Sequence, residues 1–502
     1  MCTNQNLTHN NSVGIIRQQT IKGTVVSYIG AILGFINTGI LFPHILGEDQ
    51  IGLLNWLVAI ATIASQFSSF GFNNVTARLF PYFRNENRNH NGYLFILFWV
   101  GMIGFVLSLI AYFLLQPVAV SLYSNESPLY LNYLIYLIPL VFFTVFFNLF
   151  EGYNRVMYDA VSGTIYRDIV FKLISLCVIL LFWKEVLDFS QFVFLYVVAF
   201  CLPTVLLFLL LLKRGQISFA ANLKFVTPKL RKSMVNVSLF GILNGLNDKL
   251  TANIDRIMIV SFIGLGANGI YATMANFGML ISMPSRTLKK IASTVIAESW
   301  KRNDLATIGK VYSQSGLHQF MLGALMFIGV WVNADNVFEI VPDKYIAGKF
   351  VMFFIGISHV IQMLSGISGV VIQSSPKYRM QTFFMVIYGV LVILTNFIMI
   401  PIWGIVGAAI ASLTASFIFN LMKYIFLWKA YGFQPINRKY VYVLGIALVS
   451  FYLGYLLPKM DWFVFDIIVR STLVGGIYLL LTFFLKISDD FNEFVREKLG
   501  LH

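Results

Sequence analysis

The chain has 502 residues, of which 58% are hydrophobic and only 12% are charged. A soluble domain carries about 25% charged residues, so a water-soluble globule is excluded and an all-α polytopic membrane protein is indicated. The net charge of +14 does not point to nucleic acid, because Lys and Arg lie in short connections between apolar runs, where they orient a membrane protein.

Each helical crossing of a bilayer needs about 20 apolar residues. Residues 1–23, rich in Asn, Gln and Thr, are expected as a cytoplasmic tail without a cleavable signal. Six spans follow at 24–46, 51–72, 93–115, 131–150, 165–183 and 190–212, and form a predicted N-terminal bundle over 24–212. A basic linker, 213–235, holds Lys213, Arg214, Lys224, Lys229, Arg231 and Lys232. Six more spans, at 236–263, 268–290, 311–333, 349–372, 380–400 and 403–428, form a predicted second bundle over 236–428. Two further helices, 440–457 and 462–486, occupy 429–486, and a second cytoplasmic tail covers 487–502.

That count is about fourteen spans. With the N-terminus inside, nearly all of the 36 Lys and Arg residues fall on the cytoplasmic side. Only Lys184, Lys344, Lys349 and Lys459 fall opposite, while Lys249, Arg256 and Arg470 lie within spans. So uneven a split predicts both termini in the cytoplasm. Cys2, Cys177 and Cys201 form neither a disulfide framework nor a metal spacing. No catalytic motif and no Walker loop occurs, so no enzyme, cofactor or metal is expected. A membrane polymerase is the less favoured enzyme alternative, because the non-cytoplasmic connections near 116–130 and 334–348 are short.

The second half falls on the first at a shift of 217 residues, which places Gly47 on Gly264 and Gly52 on Gly269. Each glycine pair opens a long span that leads to a basic connection. Two six-span bundles in the same orientation suit transporters that rock about a midplane site.

Three stretches carry a resemblance to a family. IKGTVVSYIGAILGFINTGILFPHILGEDQIGLL starts at Ile21, DRIMIVSFIGLGANGIYATMANF at Asp255 and PIWGIVGAAIASLTAS at Pro401. In that order, over about residues 15–430, they resemble the oligosaccharide (O-antigen) flippases. Those are relatives of the multidrug and toxic-compound extruders and of the lipid II flippase. The resemblance implies transport of a lipid-linked oligosaccharide, here expected as an undecaprenyl-pyrophosphate glycan. The expected place is the bacterial inner membrane, in contact with membrane lipids and as a monomer. A multidrug antiporter of the same superfamily is the alternative. A coupling ion, H+ or Na+, is left open.

Polar residues inside spans are expensive and mark candidate sites. In the seventh span, Asn244, Asn247, Asp248, Thr251 and Asp255 share one helical face, and Lys249, Asn253 and Arg256 share another. One reading makes them ion pairs between neighbouring helices. The other turns the basic stripe toward a pyrophosphate, with Asp248 and Asp255 as counter-charges or an ion site. Arg suits that task because its fork holds phosphate oxygens bidentately. The second span offers Asn55, Thr62, Gln66, Ser69, Asn73 and Thr76 on one face and ends at Arg78. Amides and hydroxyls there suit sugar hydroxyls or bonds between helices. His359 in the tenth span is an interhelical donor or an ion relay. Arg167, Asp168 and Lys172 open the fifth span as expected interfacial anchors. Arg286, Lys289 and Lys290 end the eighth, where they serve topology or meet an anionic headgroup.

Overall fold

The computed structural model describes residues 22–123, 128–159, 161–217 and 222–499. Among them all regular structure is helical, with no strand. Nine of the described helices are long and apolar enough to cross a membrane. The longest, Arg379–Tyr431, has 53 residues and would run about 80 Å at 1.5 Å per residue. A bilayer core is about 30 Å thick, so this segment is two crossings. Gly404 breaks it at φ 60°, ψ −138°, three residues beyond the turn expected at Pro401.

In chain order the main helices are α1 (Lys22–Ile45), α2 (Glu48–Ser68), α3 (Phe72–Phe83), α4 (Tyr93–Tyr123) and α5 (Leu137–Val156). Then come α6 (Phe171–Trp183), α7 (Phe189–Lys213), α8 (Pro228–Phe262), α9 (Leu265–Met279), α10 (Met283–Lys301) and α11 (Leu305–Val332). The remainder are α12 (Lys349–Leu364), α13 (Ser368–Ser374), α14 (Arg379–Tyr431), α15 (Arg438–Tyr455), α16 (Phe463–Phe484) and α17 (Asp489–Leu499). Sequence-coded caps fix several starts. The Asp188 side chain accepts from the Gln191 N–H and Gln191 answers, a capping box that starts α7. Thr227 caps α8, where Pro228 takes the first turn at no loss of a helical donor.

By contact, the chain divides into compact units after Gly269, within α9. In the first unit α5 packs against α2, α3, α4 and α7. Its buried face carries Leu140, Val145, Phe146, Leu149 and Phe150. α8 lies along α2 and α3, which is why it belongs to this unit.

The starts of α2 and α9 touch through main chain. A Cβ on Gly52 would lie 1.8 Å from the Leu265 carbonyl oxygen, and one on Gly269 would lie 2.0 Å from the Glu48 oxygen. Asn268 Nδ2 also donates to the Gly52 oxygen at 2.9 Å. Residues 48 and 265, like 52 and 269, are partners under the 217-residue shift, so the contact is made twice with exchanged roles.

On the connection from α5 to the fifth span, Arg214 meets Asp159 at 2.7 Å. Burial alone would raise the Asp159 carboxyl. Hydrogen bonds from the Ser162 hydroxyl and N–H, with the Arg214 guanidinium, hold it below the usual carboxylate range.

In the second unit α15 and α16 pack on α11. Phe320, Ile328, Val443, Ile446, Val474 and Tyr478 form their shared apolar core. Tyr478 donates its hydroxyl to the Met321 oxygen at 2.9 Å. A second core gathers Ile296, Tyr312, Val371, Phe384 and Leu427 from α10, α11, α13 and α14.

Asp466 and Arg470 on α16 form a buried ion pair, with Nε to Oδ2 at 2.5 Å. Arg470 also donates to the carbonyls of Gly454 (2.9 Å), Leu457 (2.9 Å) and Pro458 (3.0 Å). It thereby ties the end of α15 and the turn after it to α16. Asp466 receives Asn336 Nδ2 at 2.5 Å and the Met460 N–H at 3.2 Å.

Candidate functional site

The polar wall expected along the second span does not run on one helix. The chain turns at Phe70 (φ 47°) and Gly71 (φ 65°), so Asn73, Thr76 and Arg78 lie on the separate helix α3. Helical periodicity cannot be carried through that turn, and the single face is corrected accordingly. Gln66 is buried on α2. It lies flat on α8, because a Cβ at Gly245 would come within 2.2 Å of its Nε2. Asn73 is half-buried and faces α5, where a Cβ at Gly152 would meet its Oδ1 at 3.1 Å. Thr76 is buried and bonded to the Tyr93 hydroxyl at 2.7 Å. Arg78 is exposed.

The seventh span is one continuous helix, α8, of 35 residues. Lys249 and Arg256 are two turns apart on one face, separated by about 10 Å along the axis. Both are half-buried, while Asn253 and Asp255 are buried. Asn253 Nδ2 returns to the Lys249 carbonyl at 3.0 Å, which leaves its amide little freedom to serve elsewhere. Arg256 lies within electrostatic reach of Tyr196 on α7. Lys249, Asp255 and Arg256 are each engaged by polar, ionic or ring contacts. Asp248 and Arg286 fall on α8 and α10, but their side chains lie outside the described part of the structure.

The fifth span departs from expectation as well. Lys172 is not only an interfacial anchor: its Nζ donates to the Gly30 oxygen on α1 at 2.7 Å and lies 4.0 Å from Asp168 Oδ1. In return Asn37 Nδ2 donates to the Lys172 oxygen at 2.7 Å. Both helices are wound as π-turns here, at Ile36–Leu41 and Tyr166–Val170. Such turns free carbonyls from the helical ladder. Arg167 lies over the Phe147 ring, 5.1 Å from its centroid.

The second unit holds the other expected cations. The eighth span is interrupted at Leu280–Ser282, just before Pro284 opens α10, and Lys289 lies half-buried two turns further on. α14 carries Lys423, which the sequence counts only among the charges that orient the chain. Lys423 is 7% exposed. Its Nζ lies over the Phe419 ring, 4.3 Å from the centroid, and Phe419 stacks on Tyr388 at 4.5 Å. Asn420, one turn before Lys423, is buried, with its Nδ2 tied to the Ser416 oxygen and its Oδ1 without a hydrogen-bond partner. The available signal was an intramembrane lysine three residues after an asparagine, in FNLMKYIF from Phe419.

His359 is half-buried on α12 and engaged by contacts of its own. The tenth span breaks at Gly366 (φ 57°), which puts Gln373 on α13, exposed. Among the described residues no group of His, Cys, Asp and Glu gathers to hold a metal ion.

The same fold occurs in solved structures. Lipid II flippase MurJ in an inward closed conformation superposes with a TM-score of 0.73 at 13% identity, covering 93% of this chain and 98% of that one. An inward-facing multidrug resistance MATE family transporter of the MOP superfamily gives 0.60 at 14% identity, covering 82% and 98%. The uncharacterized membrane protein MJ1068 of Methanocaldococcus jannaschii is 21% identical over 94% of this chain and 96% of its own length. Helices and fold together define a multi-pass membrane protein with the fold of MurJ and of the MATE family transporter. Residues 16–297, more than half of the sequence, match the polysaccharide biosynthesis protein family, and the chain belongs to that family.

Proposed function

We propose that this transporter is a flippase for an undecaprenyl-pyrophosphate-linked oligosaccharide. It moves the glycan from the cytoplasmic to the outer leaflet of a bacterial inner membrane, for O-antigen or another surface polysaccharide. The observation that carries this reading is the cationic stripe of Lys249 and Arg256 inside a membrane-spanning helix, in a polysaccharide biosynthesis family. A pyrophosphate has the charge to match it, and amides such as Gln66 and Asn73 suit glycan hydroxyls. Alternating access over fourteen spans would carry the polar head across while the lipid tail stays in the bilayer. Arg78, Arg286 and Lys289 receive the headgroup in this scheme. Asp248, Asp255 and His359 are the groups through which H+ or Na+ would couple, and the protein acts as a monomer.

The test is export of surface polysaccharide from cells in which a variant is the only copy. Arg256→Ala and Lys249→Ala are expected to cut export at least about tenfold, the loss of one charge-assisted contact, at normal membrane abundance. Normal export by both removes the stripe from the substrate path. The MATE likeness supports a second reading, a multidrug antiporter. A cationic cargo would gain from losing these positive charges, so raised drug resistance in the same two variants would favour it.

Topology is tested separately. In a background without Cys2, Cys177 and Cys201, a cysteine at Lys344 should react with an impermeant maleimide added to intact cells, and one at Lys229 should not. The reverse pattern would invert the orientation.

A further inference from the structure

A cavity of about 480 Å³ opens in the first unit between α2, α4, α5 and α8. Trp56, Ile60, Ala64 and Phe67 line it from one face of α2, at spacings of three to four residues. Ile138 and Val141 of α5 and Ile257 of α8 supply other walls. Phe67 is 49% exposed and Leu115 is 62% exposed, so the cavity opens sideways, toward lipid. An apolar void of this size leaves its lining atoms without contact partners, and water finds few bonds there. Hydrocarbon fills it without that loss.

The polar side chains of the lining form a single row. Ser108, Tyr112 and Gln116 follow one another at four-residue intervals on α4. The Ser108 hydroxyl is taken by the Ser68 hydroxyl at 2.5 Å. The Tyr112 hydroxyl and the Gln116 amide have no hydrogen-bond partner among the described residues. From Phe105 to Gln116 the α4 wall runs about 16 Å, at 1.5 Å per residue. That is one leaflet of a hydrocarbon core about 30 Å thick. An apolar crevice as long as a leaflet, with free donors toward one end, has the outline of a lipid chain below its ester.

We propose that this cavity holds one acyl chain of a glycerophospholipid. The ester carbonyl accepts from Tyr112 and Gln116, and the chain runs along α2 and α4 to Phe67 and Phe105. The site lies in the first unit alone and does not depend on the flippase reading.

The experiment places the full-length protein in phosphatidylcholine nanodiscs doped with a phosphatidylcholine that carries a diazirine within one acyl chain. After irradiation, adducts are mapped by peptide mass spectrometry. Wild type should be labelled at Val141, which is 7% exposed and out of reach of lipid that merely surrounds the protein. Leu448 on α15, 61% exposed, reports that surrounding lipid and normalises the yield. Ala64→Phe fills the cavity and should cut the Val141 adduct about tenfold or more, with Leu448 unchanged. Ile138→Phe should do the same from the α5 wall, and decides the matter if Ala64→Phe fails to fold. Tyr112→Phe with Gln116→Leu should lower the adduct about two- to tenfold, the worth of a neutral hydrogen bond. Hexadecane bearing a diazirine, which has no ester, should label Val141 less than the phospholipid does in wild type and equally in that double variant. No adduct at Val141 in wild type, or one that persists in the folded filled variants, overturns the site. Equal labelling of wild type by the two probes overturns the phospholipid assignment.

Discussion

Arg470→Met should destabilise the protein by about 3–5 kcal/mol, the usual result of removing one partner from a buried ion pair. The Asp466 side chain is 1% exposed, so its charge has nowhere to go once the guanidinium is absent. Asn336 and the Met460 N–H remain as donors, yet neither supplies a positive charge. The carbonyls of Leu457 and Pro458 lose the guanidinium in the same step, while Gly454 keeps main-chain N–H donors from Leu456 and Leu457. Thermal unfolding of the purified protein, with membrane abundance as a second readout, measures the effect. Pairing Arg470→Met with Asp466→Leu should recover much of the loss, because replacing a whole buried pair by apolar groups is often close to neutral. A single variant as stable as wild type would show that the pair contributes nothing.

The second large effect is expected at Gly52. A side chain there would begin 1.8 Å from the Leu265 oxygen and 2.6 Å from its carbonyl carbon. Those are main-chain atoms of another helix, so relief requires α2 and α9 to separate. Overpacking typically costs about 1–3 kcal/mol and occasionally more, and Gly52→Val should lie at or above the top of that range. Gly52→Ala should be milder only in proportion to its size. Gly475→Val is the control, since a Cβ at Gly475 meets nothing within 4 Å. If Gly52→Val retains the abundance and melting temperature of that control, the close crossing of α2 and α9 is wrong.

Nine long apolar helices were legible because lipid makes the same demand of every crossing. Each needs a long apolar run, and even the merged helix α14 shows its two crossings through length and through a glycine near the expected turn. Periodicity could put Lys249 and Arg256 on one face because α8 is unbroken. The same reasoning failed along the second span, where Phe70 and Gly71 reset the helical phase. No hydropathy window detects such a turn. Lys172 read as an anchor because its role depends on the carbonyl of Gly30, a partner far away in sequence. Lys423 was hidden for a related reason. A lysine toward a helix end already has an explanation in topology, and only its burial over the Phe419 ring sets it apart. The division after Gly269 likewise reflects where α8 packs, which loop length does not encode.

The reciprocal contact at Gly52 and Gly269 also bears on how duplicated halves can drift apart. On each side of this contact a peptide carbonyl, of Glu48 or Leu265, meets a bare α-carbon within the first unit. Carbonyl position does not depend on which side chain hangs beside it. One half therefore carries an acid at that place and the other an aliphatic residue, and the crossing is unaffected. What inheritance must preserve is the missing side chain at two places. A repeated segment could thus lose nearly all trace of common letters while such a contact persisted. Ancestry in such a chain would be sought in its paired vacancies rather than in its conserved groups.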